Sequence, residues 1–249
     1  MKTERDIWLS SIFGYDVNRV TQVDDLNKIT AEIFSSAPKT AFFYTKIPVS
    51  ALAQTIRLSN IGFHIVDVNV TLERAIPSKG EFKNLSAGSN ITVADARSED
   101  RDNVLDIAAS CFIYSRFHAD PFVSKELADK IKREWMANHF NGQRGNGVLV
   151  AKQGGKRVGF LAILNSTIDG KKTRVIDLVG VDPAQKQKGI GKALVSSFIE
   201  GSVGTFNSVL VGTQIANYPS LRLYEKCGFQ IKEASYVLHA HLKNGDILK

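Results

Sequence analysis

Residues 172–204 read KTRVIDLVGVDPAQKQKGIGKALVSSFIEGSVG, and their reading decides the fold. Arg174 to Val181 is apolar and β-branched with one charge inside, Asp177, which predicts a largely buried strand. Asp182-Pro183 stops it. A polar loop follows, Gln185 to Gly191, and then Ile190, Ala193, Leu194, Phe198 and Ile199 recur at helical spacing. A strand, a short glycine loop and a helix in that order make an anion site. The first amides of a helix lack intrahelical acceptors, and the helix end carries roughly half a positive charge. Glycine lets a phosphate approach the backbone, so a pyrophosphate suits this turn.

Two common nucleotide loops are excluded. A P-loop needs Gly-x-x-x-x-Gly-Lys-Ser/Thr, but Gly191-Lys192 is followed by Ala193 and no glycine stands five residues before Gly191. A dinucleotide fingerprint needs a third glycine where Leu194 stands, and a place near the start of its fold. The pattern Lys186-Gln187-Lys188-Gly189-Ile190-Gly191 after Val181-Asp182-Pro183 resembles the acetyl-CoA loop of the GCN5-related N-acetyltransferase (GNAT) family. That family has Gln/Arg-x-x-Gly-x-Gly/Ala after a strand ending Val-x-Pro. Lys186 departs from the Gln or Arg preference, mildly, because backbone amides do most of the binding. The alternative is a plain glycine-containing turn with no ligand.

The bulk numbers set bounds. A chain of 249 residues with 43% hydrophobic content suits one large or two small globular domains. No apolar run approaches the roughly 20 residues of a membrane span. The N-terminus, MKTERDIWLSSIFG, lacks a signal-peptide apolar region, and Cys111 and Cys227 are too few for a disulfide framework. A cytoplasmic setting is therefore expected. The net charge of +7 is dispersed, without interleaved aromatics, which speaks against nucleic acid. One short basic run, Lys186 to Lys192, coincides with the glycine loop, as a ligand with several phosphates would require.

In residues 1–76 strand and helix signals alternate: strand 18–23, helix 24–35, strand 40–47, helix 49–58 with Gly62 as its left-handed stop, and strand 63–72. That order predicts βαβαβ and a parallel sheet. Residues 77–90 are rich in Ser, Gly, Lys and Asn and read as a linker. Residues 91–249 then run strand, helix at 100–109, helix at 126–140, and strands at 147–151, 157–164 and 173–181. The glycine loop and its helix, a strand at 208–213, a helix at 217–226 and a long extended segment at 230–242 complete them. This order resembles the whole GNAT domain. The implied fold is α/β (α+β), an acyl-CoA N-acyltransferase with a mixed central sheet and flanking helices, preceded by a smaller α/β domain. A weak echo links Leu58 to Ile65 with Tyr224 to Ile231. Both read as a helix end, Gly-Phe and a strand, so the first domain is either a degenerate half-copy or merely shares a common connection.

The resemblance implies acetyl-CoA as co-substrate, no metal, and a primary amine as acceptor. The strands ending at Val181 and Thr213 would splay, with pantetheine pairing near Val179 and Val181. Tyr224 matches the family's general acid; a phenol is protonated at neutral pH and can donate to the departing thiolate. Asn217 matches a pantetheine contact or a helix cap. Asp177, an ionisable group in an apolar strand, is either the base, a solvent-facing group or a partner of Arg174 or Lys172.

Several stretches also resemble the dTDP-fucosamine acetyltransferases: Trp8 to Gly14, Asn60 to Phe63, Ser115-Arg116-Phe117, and Thr213 to Asn217 with Tyr224. That implies a nucleotide-linked amino sugar as acceptor. Arg116 would offer a bidentate donor to a diphosphate, Phe117 a stacking face and His118 a hydroxyl partner. Alternatively Phe117 is core and Arg116 forms a surface ion pair. A peptide N-terminus, polyamine or other small amine remains open as acceptor, as does an acetyl-CoA-binding module without turnover. A homodimer is neither implied nor excluded.

Overall fold

A computed structural model describes residues 2–22, 31–34, 37–77 and 90–248. In chain order the elements are β1 (Lys2–Arg5), α1 (Ile7–Phe13), β2 (Asp16–Gln22), β3 (Ala41–Pro48), α2 (Leu52–Asn60), β4 (His64–Ala75), β5 (Ile91–Asp95) and α3 (Arg101–Ser110). There follow α4 (Lys125–Phe140), β6 (Gly147–Gln153), β7 (Lys156–Ile168), β8 (Lys171–Val181), α5 (Ile190–Glu200), β9 (Ser208–Gln214), α6 (Tyr218–Lys226), β10 (Gln230–Lys243) and β11 (Asp246–Ile247). Of the expected helix at 24–35, residues 24–30 and 35 lie outside the described residues, and Ala31–Phe34 forms a 3-10 turn. Most of the expected linker also lies outside them.

Among the described residues the strands build one 11-stranded sheet in the order β1-β2-β3-β10-β4-β9-β8-β7-β6-β5, with β11 on β10. The sheet is mixed: β2 with β3 and β8 with β9 are parallel, and the other pairs are antiparallel. This corrects the parallel βαβαβ expected of the first 76 residues. β3 and β4 point the same way, but β10 lies between them and is antiparallel to both. The exchange is mutual, because β4 in turn lies between β9 and β10. From the β4–β10 seam outward, both directions give an antiparallel, a parallel and an antiparallel pairing.

Helices cover both faces. On one, α5 and α6 bury Leu194, Val195, Phe198 and Tyr224 against Val70, Leu72, Ile163 and Val211, while Leu58 of α2 joins Phe43, Phe63 and Leu238. On the other, α3 and α4 bury Val104, Leu105 and Met136 against Val150, Phe160 and Leu178. There α1 adds Leu9 beside Phe42, Phe117 and Ile131. Each such large apolar side chain contributes about 1.5–3 kcal/mol by leaving water. Caps fix the helix starts: Asp6 accepts from the Leu9 amide, Ser124 from Leu127 and Asn217 from Ser220.

Candidate active site

The parallel pair at the centre of the sheet comes apart. β8 and β9 pair from Thr173 with Ser208 to Ile176 with Val211. Beyond that point β8 runs on to Val181 held by β7, and β9 runs on to Gln214 held by β4. The wedge opens into a cavity of about 550 Å³. Val179 and Asp177 line it from β8, Thr213 and Gln214 from β9, and Asn217 and Tyr224 from around α6. Tyr224 is 2% exposed, and burial pushes its phenol above the ordinary range. It therefore stays protonated at neutral pH, which suits a proton donor. Asn217 caps α6, with its side chain accepting from the Ser220 amide at 3.3 Å.

The glycine loop leads from β8 into α5. Gly189 is the residue before α5, at φ +82°, where an L side chain is strained. A Cβ there would meet nothing within 4 Å, so the backbone faces open space. No side chain caps α5, which leaves its first amides to an outside acceptor. Lys186, Gln187, Lys188 and Lys192 are exposed around this turn. Gln187 also has positive φ, +65°, and Lys188 Nζ donates to Gln185 Oε1 at 2.7 Å. Ile190 is buried beneath the loop, Gly191 lies close to Leu223, and Val181 packs beside them. These features fit a diphosphate bound by backbone, with lysines at its rim.

Asp177 has a different job from the base considered for it. It is the extra residue of a bulge in β8, because Ile163 pairs with Ile176 and Ala162 with Leu178. Its carboxylate is filled by donors. Oδ2 accepts from Trp135 Nε1 at 2.8 Å, His139 Nε2 at 2.8 Å and Arg144 Nε at 2.6 Å, and Oδ1 accepts from Arg144 Nη2 at 2.7 Å. Burial pushes this carboxyl up, but the Arg144 and His139 bonds outweigh it and hold it well below the usual carboxylate range. Such a group is a poor proton acceptor. Arg174 turns instead to the Phe198 carbonyl and Ser202.

Of the Arg116, Phe117 and His118 trio, Arg116 and Phe117 line the cavity and His118 does not. The Arg116 guanidinium lies 4.1 Å over Tyr44 and 4.4 Å over Phe117, held by a 3.2 Å contact with His239 Nε2. Tyr44 is itself fixed by donating to Asp6 at 2.7 Å. Phe117 is 1% exposed and sits among Leu9, Val17, Phe42 and Ile131. With Arg116 over one face and the residue packed into the core, it offers a ligand little surface. His118 lies outside the cavity wall, bonded to Ser115 Oγ at 2.6 Å through Nδ1 and to Asp129 at 3.0 Å through Nε2. Its nitrogens are already used, so it is not a free hydroxyl partner.

Sequence reasoning missed the rest of the wall. Arg19, Lys46 and Lys132 join Arg116 there, with Asp67 and Asn69. Lys132 is 8% exposed, over the rings of Phe112 and Trp135. Burial, and then Arg116, lowers its ammonium to about 8. Asp67 belongs to β4, where a bulge at Val66 turns it to the face that carries His64. Its Oδ2 is buried with no hydrogen-bond partner among the described residues, and burial pushes the carboxyl up to about 6. The signal was available: Asp67 is an acid inside an apolar strand, just as Asp177 is.

A sheet split at its parallel centre, with a glycine-capped helix beneath one lip and a buried tyrosine in the gap, defines an acyltransferase of the acyl-CoA N-acyltransferase fold. The chain belongs to the acetyltransferase (GNAT) family, whose profile matches residues 102–229. It is similar to the spore coat polysaccharide biosynthesis protein SpsD of Bacillus subtilis (strain 168), with 31% identity over 141 residues, 56% of this chain and 47% of that protein. The chain thus spans about half the length of that curated relative. Among solved structures, a conserved protein of unknown function from Staphylococcus epidermidis ATCC 12228 superposes with a TM-score of 0.63 at 15% identity, over 90% of this chain and 83% of that one. A tandem GNAT protein from the clavulanic acid biosynthesis pathway gives 0.60 at 12%, over 94% and 77%. A GCN5-related N-acetyltransferase from Kribbella flavida gives 0.58 at 15%, over 90% and 80%. At these identities the structures speak for the fold. No helix among the described residues is long and apolar enough to cross a membrane.

Proposed function

We propose that this enzyme transfers acetyl from acetyl-CoA to the amino group of a nucleotide-linked amino-deoxysugar. The observation that carries the acceptor class is the cavity wall opposite α5, where Arg19, Lys46, Arg116 and Lys132 converge. Asp67 and Asp177 in the same lining offset part of that charge, and a diphosphate would meet the surplus. SpsD's part in spore coat polysaccharide synthesis agrees with a sugar acceptor.

Acetyl-CoA would supply the acetyl group as a thioester. The Gly189 turn and the first amides of α5 would hold its diphosphate, with Val179 and Asn217 beside its arm. Arg116, braced by Tyr44 and His239, orients the acceptor's phosphates and so aims its amine into the wedge. Positioning of this kind supplies much of the rate. Asp67, ionised at pH 7, takes the proton that the amine sheds. Tyr224 gives its proton to the departing sulfur. Asp177 fastens β8 to α4 and shapes the acceptor side.

Such a reaction belongs in the cytoplasm, where acetyl-CoA is available, and free Cys111 and Cys227 suit a reducing compartment. Residues 1–76 are, on this reading, a half-copy of the acetyltransferase unit without its cofactor loop. The symmetric pairing about the β4–β10 seam supports that descent.

Thiol release from acetyl-CoA, measured with nucleotide amino sugars, the same sugars without nucleotide, peptides and polyamines, tests the acceptor. The nucleotide-linked amines should exceed the bare sugars by about 100-fold in kcat/KM, roughly the 2.7 kcal/mol of one or two charge-assisted contacts. Equal rates for the bare sugar would remove the diphosphate from the proposal.

A further inference from the structure

Three imidazoles converge on one carboxylate outside the acetyl-transfer wedge. His239 and His241 stand two residues apart in β10 and so share a face, and the sheet register sets His64 of β4 opposite His239. Asp120, from the turn between α3 and α4, comes down over that face with its side chain fully buried. Its Oδ2 accepts from His239 Nδ1 at 2.5 Å and His241 Nε2 at 2.8 Å, and its Oδ1 from the Phe122 amide at 2.9 Å. The state of His239 is determined. Arg116 can only donate, so His239 Nε2 accepts from it, and Nδ1 carries the proton given to Asp120.

His64 has no such explanation. Its Nε2 is buried with no hydrogen-bond partner among the described residues. It lies 3.7 Å from Asp120 Oδ1, beyond hydrogen-bond range. A buried nitrogen left so costs about 1–3 kcal/mol. A single ion between these groups removes that cost. His64, Asp120 and His241 hold ligand atoms that all lie within 4.8 Å of one another. Two imidazoles and a carboxylate are a zinc-type ligand set, and bonds of 2.0–2.2 Å at tetrahedral angles set such atoms about 3.3 Å apart. The Asp120 contacts, Oδ2 to His241 Nε2 at 2.8 Å and Oδ1 to His64 Nε2 at 3.7 Å, lie on either side of that spacing, and the three ligand atoms, all within 4.8 Å of one another, would draw together on the ion. The rings are also held. Phe42 stacks on His241 at 4.5 Å and 6°, and Phe122 abuts His64 and His241 at 5.4 and 5.5 Å. His239 steadies the carboxylate from outside the set, as hydrogen-bonded partners of metal ligands do.

We propose that His64, Asp120 and His241 bind one divalent transition-metal ion of the zinc class, with the fourth position left to water. His241 presents its Nε2 lone pair to the ion, and its proton moves to Nδ1 or to solvent. The ion fastens the turn carrying Asp120 to β4 and β10. Through Asp120 and His239 it is joined to Arg116, so it braces the acceptor wall without entering the wedge.

The whole chain, stripped with a chelator that is then removed, is titrated with zinc against a chromogenic chelator, and separately with cobalt(II) while visible absorption is recorded. One tight equivalent per chain and an intense four-coordinate cobalt spectrum are expected. His64→Ala is the discriminating variant. His64 makes no hydrogen bond through Nε2 and its side chain is 28% exposed, so the fold survives its removal, as a thermal melt without metal verifies. The variant should bind zinc at least about 100-fold more weakly, since partners of ligands alone account for 10–100-fold. Equal zinc affinity in the two proteins, or a cobalt spectrum no different from the aqueous ion, would overturn the site.

Discussion

Arg144 grips Asp177 with both prongs of its guanidinium, Nε to Oδ2 at 2.6 Å and Nη2 to Oδ1 at 2.7 Å. The pair ties the bulge of β8 to the end of α4. Asp177→Asn should therefore behave as a stability variant, losing about 2–3 kcal/mol because Arg144 and His139 lose their charged acceptor. The sign with pH follows from a depressed carboxyl. Its stabilisation is complete above the unfolded value of about 3.9 and is lost as pH falls toward the folded value. Chemical denaturation at pH 7 and pH 3 should show the two proteins converging in acid. A variant as stable as the parent at pH 7 but without activity would restore Asp177 to the chemistry.

Tyr224→Phe keeps the ring contact with Phe229, 5.7 Å between centroids, and removes only the hydroxyl. Turnover should fall about 100-fold, the low end for a lost proton donor. The affinity for acetyl-CoA, read by calorimetry, should stay within a factor of about 2. Unchanged turnover would leave the thiolate to water.

Asp67 accepts a proton only when ionised. With its carboxyl raised to about 6, kcat/KM should fall about tenfold per pH unit below pH 6 and level off above pH 7. Asp67→Asn should lower the plateau and abolish that limb. A profile of the same shape in the variant would assign the limb to another group.

Arg116→Lys retains charge but not the planar fork that lies on Tyr44 and Phe117. The KM for a nucleotide-linked acceptor should rise about tenfold, with the KM for acetyl-CoA unmoved. Equal rises in both constants would mean a general loss of structure, which a thermal melt would reveal.

Much of the acetyltransferase half was legible because its signals are local. The run from Arg174 to Gly191 combines a β-branched strand, a proline stop and glycines at fixed offsets, and β8, the turn and α5 follow it. Asn217 and Tyr224 came from the resemblance to the acetyltransferase family, and they stand at the cap and in the body of α6. What stayed hidden depends on neighbours distant in sequence. Nothing near Asp177 announces Arg144, which reaches it from 33 residues away. Asp120 and His239 meet across 119 residues. Phe117 reads equally well as a stacking face or as core until Phe42 and Ile131 are seen around it. Periodicity could not reveal that β3 and β4 are kept apart, because the strand between them is the last long one in the chain.

The interleaving of β4 and β10 also sets a timetable for synthesis. When residues 64–75 leave the ribosome, neither of the strands that will flank them has been made. The nascent chain must carry an unsatisfied edge until residues 230–243 are translated, and closure comes late, through contacts of long sequence separation. A product truncated before Gln230 is thus left with two open flaps rather than one finished half.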